Sequence, residues 1–128
     1  MKSVQFILYV RDQAKSKEFY SKVLQKTSCL DIPGMTEFEL FDNIKLGLMP
    51  EKGIAKIIVP SMPHPEKATG IPRCELYIPA EHPQRYVMRA IEAGGINVSE
   101  LKNLNWGDKV AYVADPDGHI IAFASKIK

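Results

Sequence analysis

The sequence repeats itself once. Leu8-Tyr9-Val10 runs into an amphipathic helical pattern, and about 70 residues later Leu76-Tyr77-Ile78 does the same. Each copy closes on a hairpin whose last strand reads large-small-large: Leu46-Gly47-Leu48 after the turn at Asp42-Asn43, and Ile121-Ala122-Phe123 after the turn at Asp115-Pro116-Asp117-Gly118. A period this long is not a solenoid unit; it signals two copies of one supersecondary element that share a sheet or a cleft.

The local patterns give each copy the same content. Val4–Val10 is rich in β-branched and aromatic residues and reads as a strand. Asp12 is placed to cap a helix over 12–24, whose apolar stripe is Phe19, Tyr20, Val23 and Leu24. Strands are expected at 26–30, 36–41 and 44–49, so the first copy is β-α-β-β-β. In the second, a strand over 74–78 precedes a helix opened by Pro83, striped by Tyr86, Val87, Ala90 and Ile91 and stopped by Gly94-Gly95. Strands follow at 96–101, 109–114 and 119–124. Between the copies, Pro50, Pro60, Pro63, Pro65 and Pro72 with Gly53 and Gly70 mark a connector, with a short extended piece at 54–59.

At 128 residues with 45% hydrophobic content, the chain has core enough for one domain: module one over about 1–50, a connector over about 51–72, and module two over about 73–128. The net charge of +2 is spread without any run of Lys or Arg, which argues against nucleic acid as a partner. No apolar stretch approaches the roughly 20 residues of a membrane span, so no membrane partner is expected. Met1-Lys2-Ser3-Val4-Gln5 leads directly into a strand-like run, so no export signal is expected, and a cytoplasmic location with Cys29 and Cys74 reduced is the expectation. Neither cysteine adjoins a histidine or forms a CxxC pair.

Two segments carry a family likeness. One is Leu8-Tyr9-Val10-Arg11-Asp12 running to Lys15-Ser16-Lys17-Glu18-Phe19-Tyr20. The other is Trp106-Gly107-Asp108 followed by Ala111-Tyr112-Val113-Ala114-Asp115-Pro116-Asp117-Gly118-His119-Ile120-Ile121-Ala122-Phe123. Together they resemble the opening and closing segments of the vicinal-oxygen-chelate superfamily, which includes glyoxalases, bleomycin-resistance proteins and ring-cleaving dioxygenases. The resemblance implies an α+β fold of two βαβββ modules forming curled mixed sheets around a concave cleft. It also implies a homodimer in which a second chain completes each cleft. Metal-using members draw their ligands from the first and last strands of both modules. Those positions fall here on Gln5, Gly47 and Ala122, with the fourth on Arg73 if Leu-Tyr-Val is matched to Leu-Tyr-Ile, or on Glu75 if the count runs back from Gly94-Gly95. Gly47 and Ala122 cannot donate a lone pair to a transition metal, so no tightly bound metal and no cofactor are expected. Gln5 and Glu75 could still offer two oxygens.

Each candidate residue has a functional and a plain reading. Glu75, between Cys74 and Leu76, is the candidate catalytic base, or else it pairs with Arg73 or sits on an exposed edge. Gln5 orients a ligand or faces solvent. Tyr9 and Tyr77 occupy matching places and serve as wall or reagent. Trp106, the one tryptophan, covers a bound ring or packs at a dimer contact. His64, His82 and His119 fall in the connector or in turns and read as surface or capping residues. Asp115-Pro116-Asp117-Gly118 reads as turn chemistry.

The expected function is binding of a small molecule in a dimer-interface cleft lined by Gln5, Tyr9, Gly47, Arg73, Tyr77, Trp106 and Ala122. The alternative is a divergent glyoxalase-like lyase or isomerase using Glu75 as base, with or without a divalent metal. Superfamily members handle methylglyoxal adducts, antibiotics, aromatic diols and acyl thioesters, and the residues do not choose among these.

Overall fold

Successive strand residues point to opposite faces, so the alternation of apolar residues decides which face of a sheet is buried. In the computed structural model, which describes residues 1–128, β1 (Val4–Val10) buries Leu8 and Val10 and exposes Gln5, Ile7 and Tyr9. After α1 (Gln13–Leu24) come β2 (Leu30–Ile32), β3 (Met35–Phe41) and β4 (Ile44–Pro50), with sheet order β1-β4-β3-β2. β1 pairs with β4 in parallel, and the other pairings are antiparallel. Phe38, Leu46 and Leu48 lie fully buried with Val10, Phe19, Tyr20 and Val23.

The second copy repeats the plan. β5 (Glu75–Pro79), α3 (Pro83–Glu92), β6 (Ile96–Asn103), β7 (Asp108–Ala114) and β8 (Ile120–Lys126) give sheet order β5-β8-β7-β6, again with the first and last strands parallel. Val87 and Ala90 of α3 are buried, and the Tyr86 ring lies 5.1 Å from that of Phe123. The fold is therefore α+β, two four-stranded mixed sheets with helices. By contact the chain forms two units, Met1–Ser21 with Gln25–Thr69, and Lys22–Leu24 with Gly70–Lys128. No helix is long and apolar enough to cross a membrane.

Two expectations are corrected. The extended piece at 54–59 is instead α2 (Glu51–Ile58), followed by a 3-10 turn at Pro65–Lys67. Ile54, Ala55 and Ile58 recur at helical spacing, Ala55 is buried, and Glu51 in the first turn favours the helix N-terminus. The prolines lie at the helix boundaries, where they do no harm. The second strand of module one begins at Leu30, not at Lys26, because Gln25 adopts a left-handed conformation (φ 53°) that ends α1 and uses the following residues to turn the chain.

The turns follow their residue chemistry. Asp12 caps α1 by accepting the Lys15 N–H at 3.0 Å. Asp115, buried in the closing turn, accepts the N–H groups of Asp117 and His119, both at 2.9 Å, and meets His119 Nδ1 at 2.8 Å. Gly118 follows with φ 93°, a value that favours glycine. The ligand atoms of Asp115, Asp117 and His119 lie within 4.8 Å of one another, and the turn's own hydrogen bonds engage the Asp115 carboxylate and the His119 ring. His64 likewise accepts the Glu66 N–H at the start of the 3-10 turn.

A polar cluster fastens the start of α1 to the β2–β3 hairpin. Gln13 Nε2 donates to the buried Thr36 hydroxyl and to the Ile32 carbonyl, each at 2.8 Å, and its Oε1 accepts the Gly34 N–H at 3.0 Å. The Thr36 hydroxyl donates to Asp31 Oδ1 at 2.8 Å, and Lys17 reaches Asp31 Oδ2 at 2.6 Å. Hydrogen bonds from Lys17 and then Thr36 hold the Asp31 carboxyl below the usual carboxylate range. A lowered folded-state pKa contributes stability above the ordinary aspartate range, and that stability is lost as pH falls through the lowered value. Asp31→Asn is therefore expected to be less stable than the parent at pH 7, and urea unfolding midpoints of the two should converge as the solution is acidified below the carboxylate range.

Candidate functional site

The face of each sheet that carries the first-strand alternates Gln5, Ile7 and Tyr9, or Glu75, Tyr77 and Pro79, holds the residues singled out by sequence. In module one, Gln5 pairs with Lys45, and Ile7 and Glu37 flank Gly47. A Cβ on Gly47 would lie 2.6 Å from Gln5 Nε2, 3.1 Å from Ile7 Cγ1 and 3.2 Å from Met35 Sδ. The Gln5 amide therefore occupies the space that a side chain at 47 would need. It is held there by donating to Glu37 Oε2 at 2.8 Å, while Lys45 lies 3.4 Å from Glu37 Oε1.

In module two, Tyr77 and Tyr112 flank Ala122. The Tyr77 hydroxyl donates to Asp108 Oδ2 at 2.6 Å and accepts from Trp106 Nε1 at 2.9 Å. On a flat sheet, four residues of strand (about 13 Å) and two strand spacings (about 9.5 Å) would separate Tyr77 from Asp108, too far for their side chains to meet. The sheet must curl toward this face. The curl gathers Val110, Ala122 and Ala124 into a buried cluster under Leu104 and Tyr112. Tyr77 and Trp106 stay 38% and 55% exposed. Lys126 lies 3.1 Å from Asp108 Oδ1 but is 85% exposed and makes no well-directed hydrogen bond to that buried oxygen, so the pair is weak. Desolvation and then the bond to Asp108 push the Tyr77 phenol up, whereas that bond and Lys126 hold the Asp108 carboxyl down. Desolvation and the nearby Glu75 charge raise Tyr112.

The register decides the fourth first-or-last-strand position. Gly47 stands beside Ile7 and Ala122 beside Tyr77, so Gln5 corresponds to Glu75 and Ile7 to Tyr77. The matching of Tyr9 with Tyr77 is thus two residues out of step, and Tyr9 corresponds to Pro79. Arg73 precedes β5 and is exposed. Glu75 is the first residue of β5, exposed, with neither hydrogen bond nor ion pair on its carboxylate, so the pairing with Arg73 is not formed. Sequence reasoning missed Glu37, Lys45 and Tyr112. Counting by twos from Gly47 and Ala122 along the hairpins would have found them.

As metal ligands these residues do not fit. Two of the four positions have no side-chain donor atom, and the Gln5 atom aimed at Gly47 is Nε2, an amide N–H donor with no lone pair to offer a metal.

Two outcomes follow from this geometry. Gly47→Ala is expected to dislodge the Gln5 amide, the far end of a flexible and exposed side chain, at the low end of overpacking costs, about 1 kcal/mol. In a double-mutant cycle measured by urea unfolding, Gln5→Ala should relieve part of that cost, and additive losses would show that the two do not share one space. For Tyr77, a raised folded-state pKa contributes stability below the ordinary tyrosine range that is lost as pH rises through the raised value. The emission of Trp106, the single tryptophan, should hold steady up to that range and change above it, and in Tyr77→Phe this alkaline change should vanish.

The Glyoxalase-like domain family matches residues 3–128. Among solved structures, hypothetical protein SA1046 from S. aureus is 24% identical at a TM-score of 0.80, covering 98% of this chain and 94% of that one. A glyoxalase-related enzyme from Fulvimarina pelagi is 20% identical at 0.81, covering 98% and 89%. TioX from Micromonospora sp. ML1 is 16% identical at 0.68, covering 98% of both. No protein of curated function matches. With its duplicated βαβββ plan and a family match spanning nearly every residue, the chain belongs to the glyoxalase-like family of the vicinal-oxygen-chelate superfamily.

Proposed function

We propose that this chain is a small-molecule-binding protein of the glyoxalase and bleomycin-resistance fold, working without a tightly bound catalytic metal. The observation that carries this reading is the Gly47 position, where the Gln5 amide fills the space of a missing ligand side chain. Ala122, its counterpart in module two, lacks a donor as well. Exposed aromatic and polar groups on the same faces, Tyr9, Tyr77, Trp106 and Glu75, suit an organic ligand. The ligand is held in a cleft completed by a second copy of the chain, and the whole of residues 1–128 acts as one functional domain. Cys29 and Cys74, free and exposed, suit a reducing cytoplasmic setting.

A second reading makes the protein a lyase or isomerase with Glu75 as general base. It is favoured by the free carboxylate of Glu75 beside Tyr112. Turnover of a methylglyoxal thiol adduct that disappears in Glu75→Gln, with folding intact, would establish it.

Elemental analysis of freshly purified protein is expected to show far less than one divalent metal per chain. Native mass spectrometry should show dimers carrying a co-purified organic molecule. One tight metal per chain would overturn the metal-free reading, and light scattering that finds a monomer at micromolar concentration would overturn the dimer.

A further inference from the structure

The Glu75 carboxylate stands at the start of β5 with no hydrogen bond or ion pair inside the protein. Lys126 on the same face lies beside Asp108, Lys102 stands on the far edge strand, and Arg73 forms no ion pair with Glu75. A lone exposed carboxylate is ordinary; its surroundings here are not. Tyr77 stands two residues along the same strand, and Tyr112 lies close enough for the Glu75 charge to act on its phenol. The hydrogen-bonded sequence from Trp106 to Tyr77 to Asp108 holds two rings in place while leaving them open to solvent. In the register the two tyrosines flank Ala122, whose methyl group is buried beneath Leu104 and Tyr112.

We propose that this face binds an organic ammonium ion, with Glu75 as its counter-ion and Tyr77 and Tyr112 as the walls beside it. The inference rests on the small-molecule-binding reading and names the ligand class. An ammonium carrying carbon substituents satisfies both parts of the face. Its charge meets the carboxylate, and its polarised methyl or methylene groups meet the negative faces of the rings. A carboxylate or phosphate ligand would meet Glu75 as a like charge. Calcium or magnesium would find one carboxylate where several oxygens are needed.

The test compares choline with its uncharged carbon analogue 3,3-dimethylbutan-1-ol and with benzoate, each titrated into the full chain. Trp106 fluorescence and ¹⁵N–¹H spectra are the readouts. Choline is expected to bind saturably, shifting the amides of Glu75, Tyr77 and Tyr112. The neutral analogue and benzoate should bind at least about tenfold more weakly. Glu75→Gln, whose folding is checked by an otherwise unchanged spectrum, should lose choline affinity by a similar factor. If the neutral analogue or benzoate binds this face as well as choline does, or if Glu75→Gln keeps full affinity, the ammonium assignment is wrong while the binding reading stands. If none of the three perturbs the face, the assignment also falls, and the co-purified ligand seen by native mass spectrometry separately decides the binding reading.

Discussion

Everything at the candidate site depends on the parallel pairing of the first and last strands within each module. An antiparallel neighbour can be reached by a tight turn, but a parallel one needs a long crossover, and the helix and hairpin between the two strands supply it. The pairing brings residues far apart in sequence onto one face: Gln5 beside Lys45 and Ile7 beside Gly47 in one module, Glu75 beside Ile120 and Tyr77 beside Ala122 in the other. Because side chains alternate strictly, a one-residue slip would turn each set toward the buried face. The full burial of Phe38 against Leu46, and of Val113 against Ile121, resists that slip.

Much of this was legible in the sequence. The duplication, the order of elements and the residue types at the caps and turns are local properties, written in alternation and in Asp, Asn, Gly and Pro. Registers between distant strands are not local. Matching Leu8-Tyr9-Val10 to Leu76-Tyr77-Ile78 was reasonable on composition and wrong by two residues, an error that keeps each residue on its proper face but changes its neighbour. That is why the right face was found while Tyr9 was given the wrong counterpart. Glu37, Lys45 and Asp108 were overlooked for a related reason: a charged residue on a strand looks like ordinary solvent-facing surface until its partner across the sheet is known. The helix at Glu51–Ile58 was hidden by prolines that only flank it.

The two modules surround matching positions, Gly47 and Ala122, differently. In module one a carboxylate, an amide and an ammonium close around the glycine and satisfy one another. In module two a phenol, an indole and a carboxylate stand aside from the alanine and leave Glu75 without a partner. Faces built from the same sheets and helices can therefore differ in how far their polar groups satisfy one another.

The seating of the Gln5 amide against Gly47 also bears on how such a chain can change over generations. A carboxylate placed at position 47 would displace the amide, and replacing Gln5 alone would leave Glu37 with Lys45 as its remaining side-chain partner. The two positions are therefore coupled: a side chain at 47 and the bond from Gln5 to Glu37 compete for one space, so a change at either alters what the other tolerates.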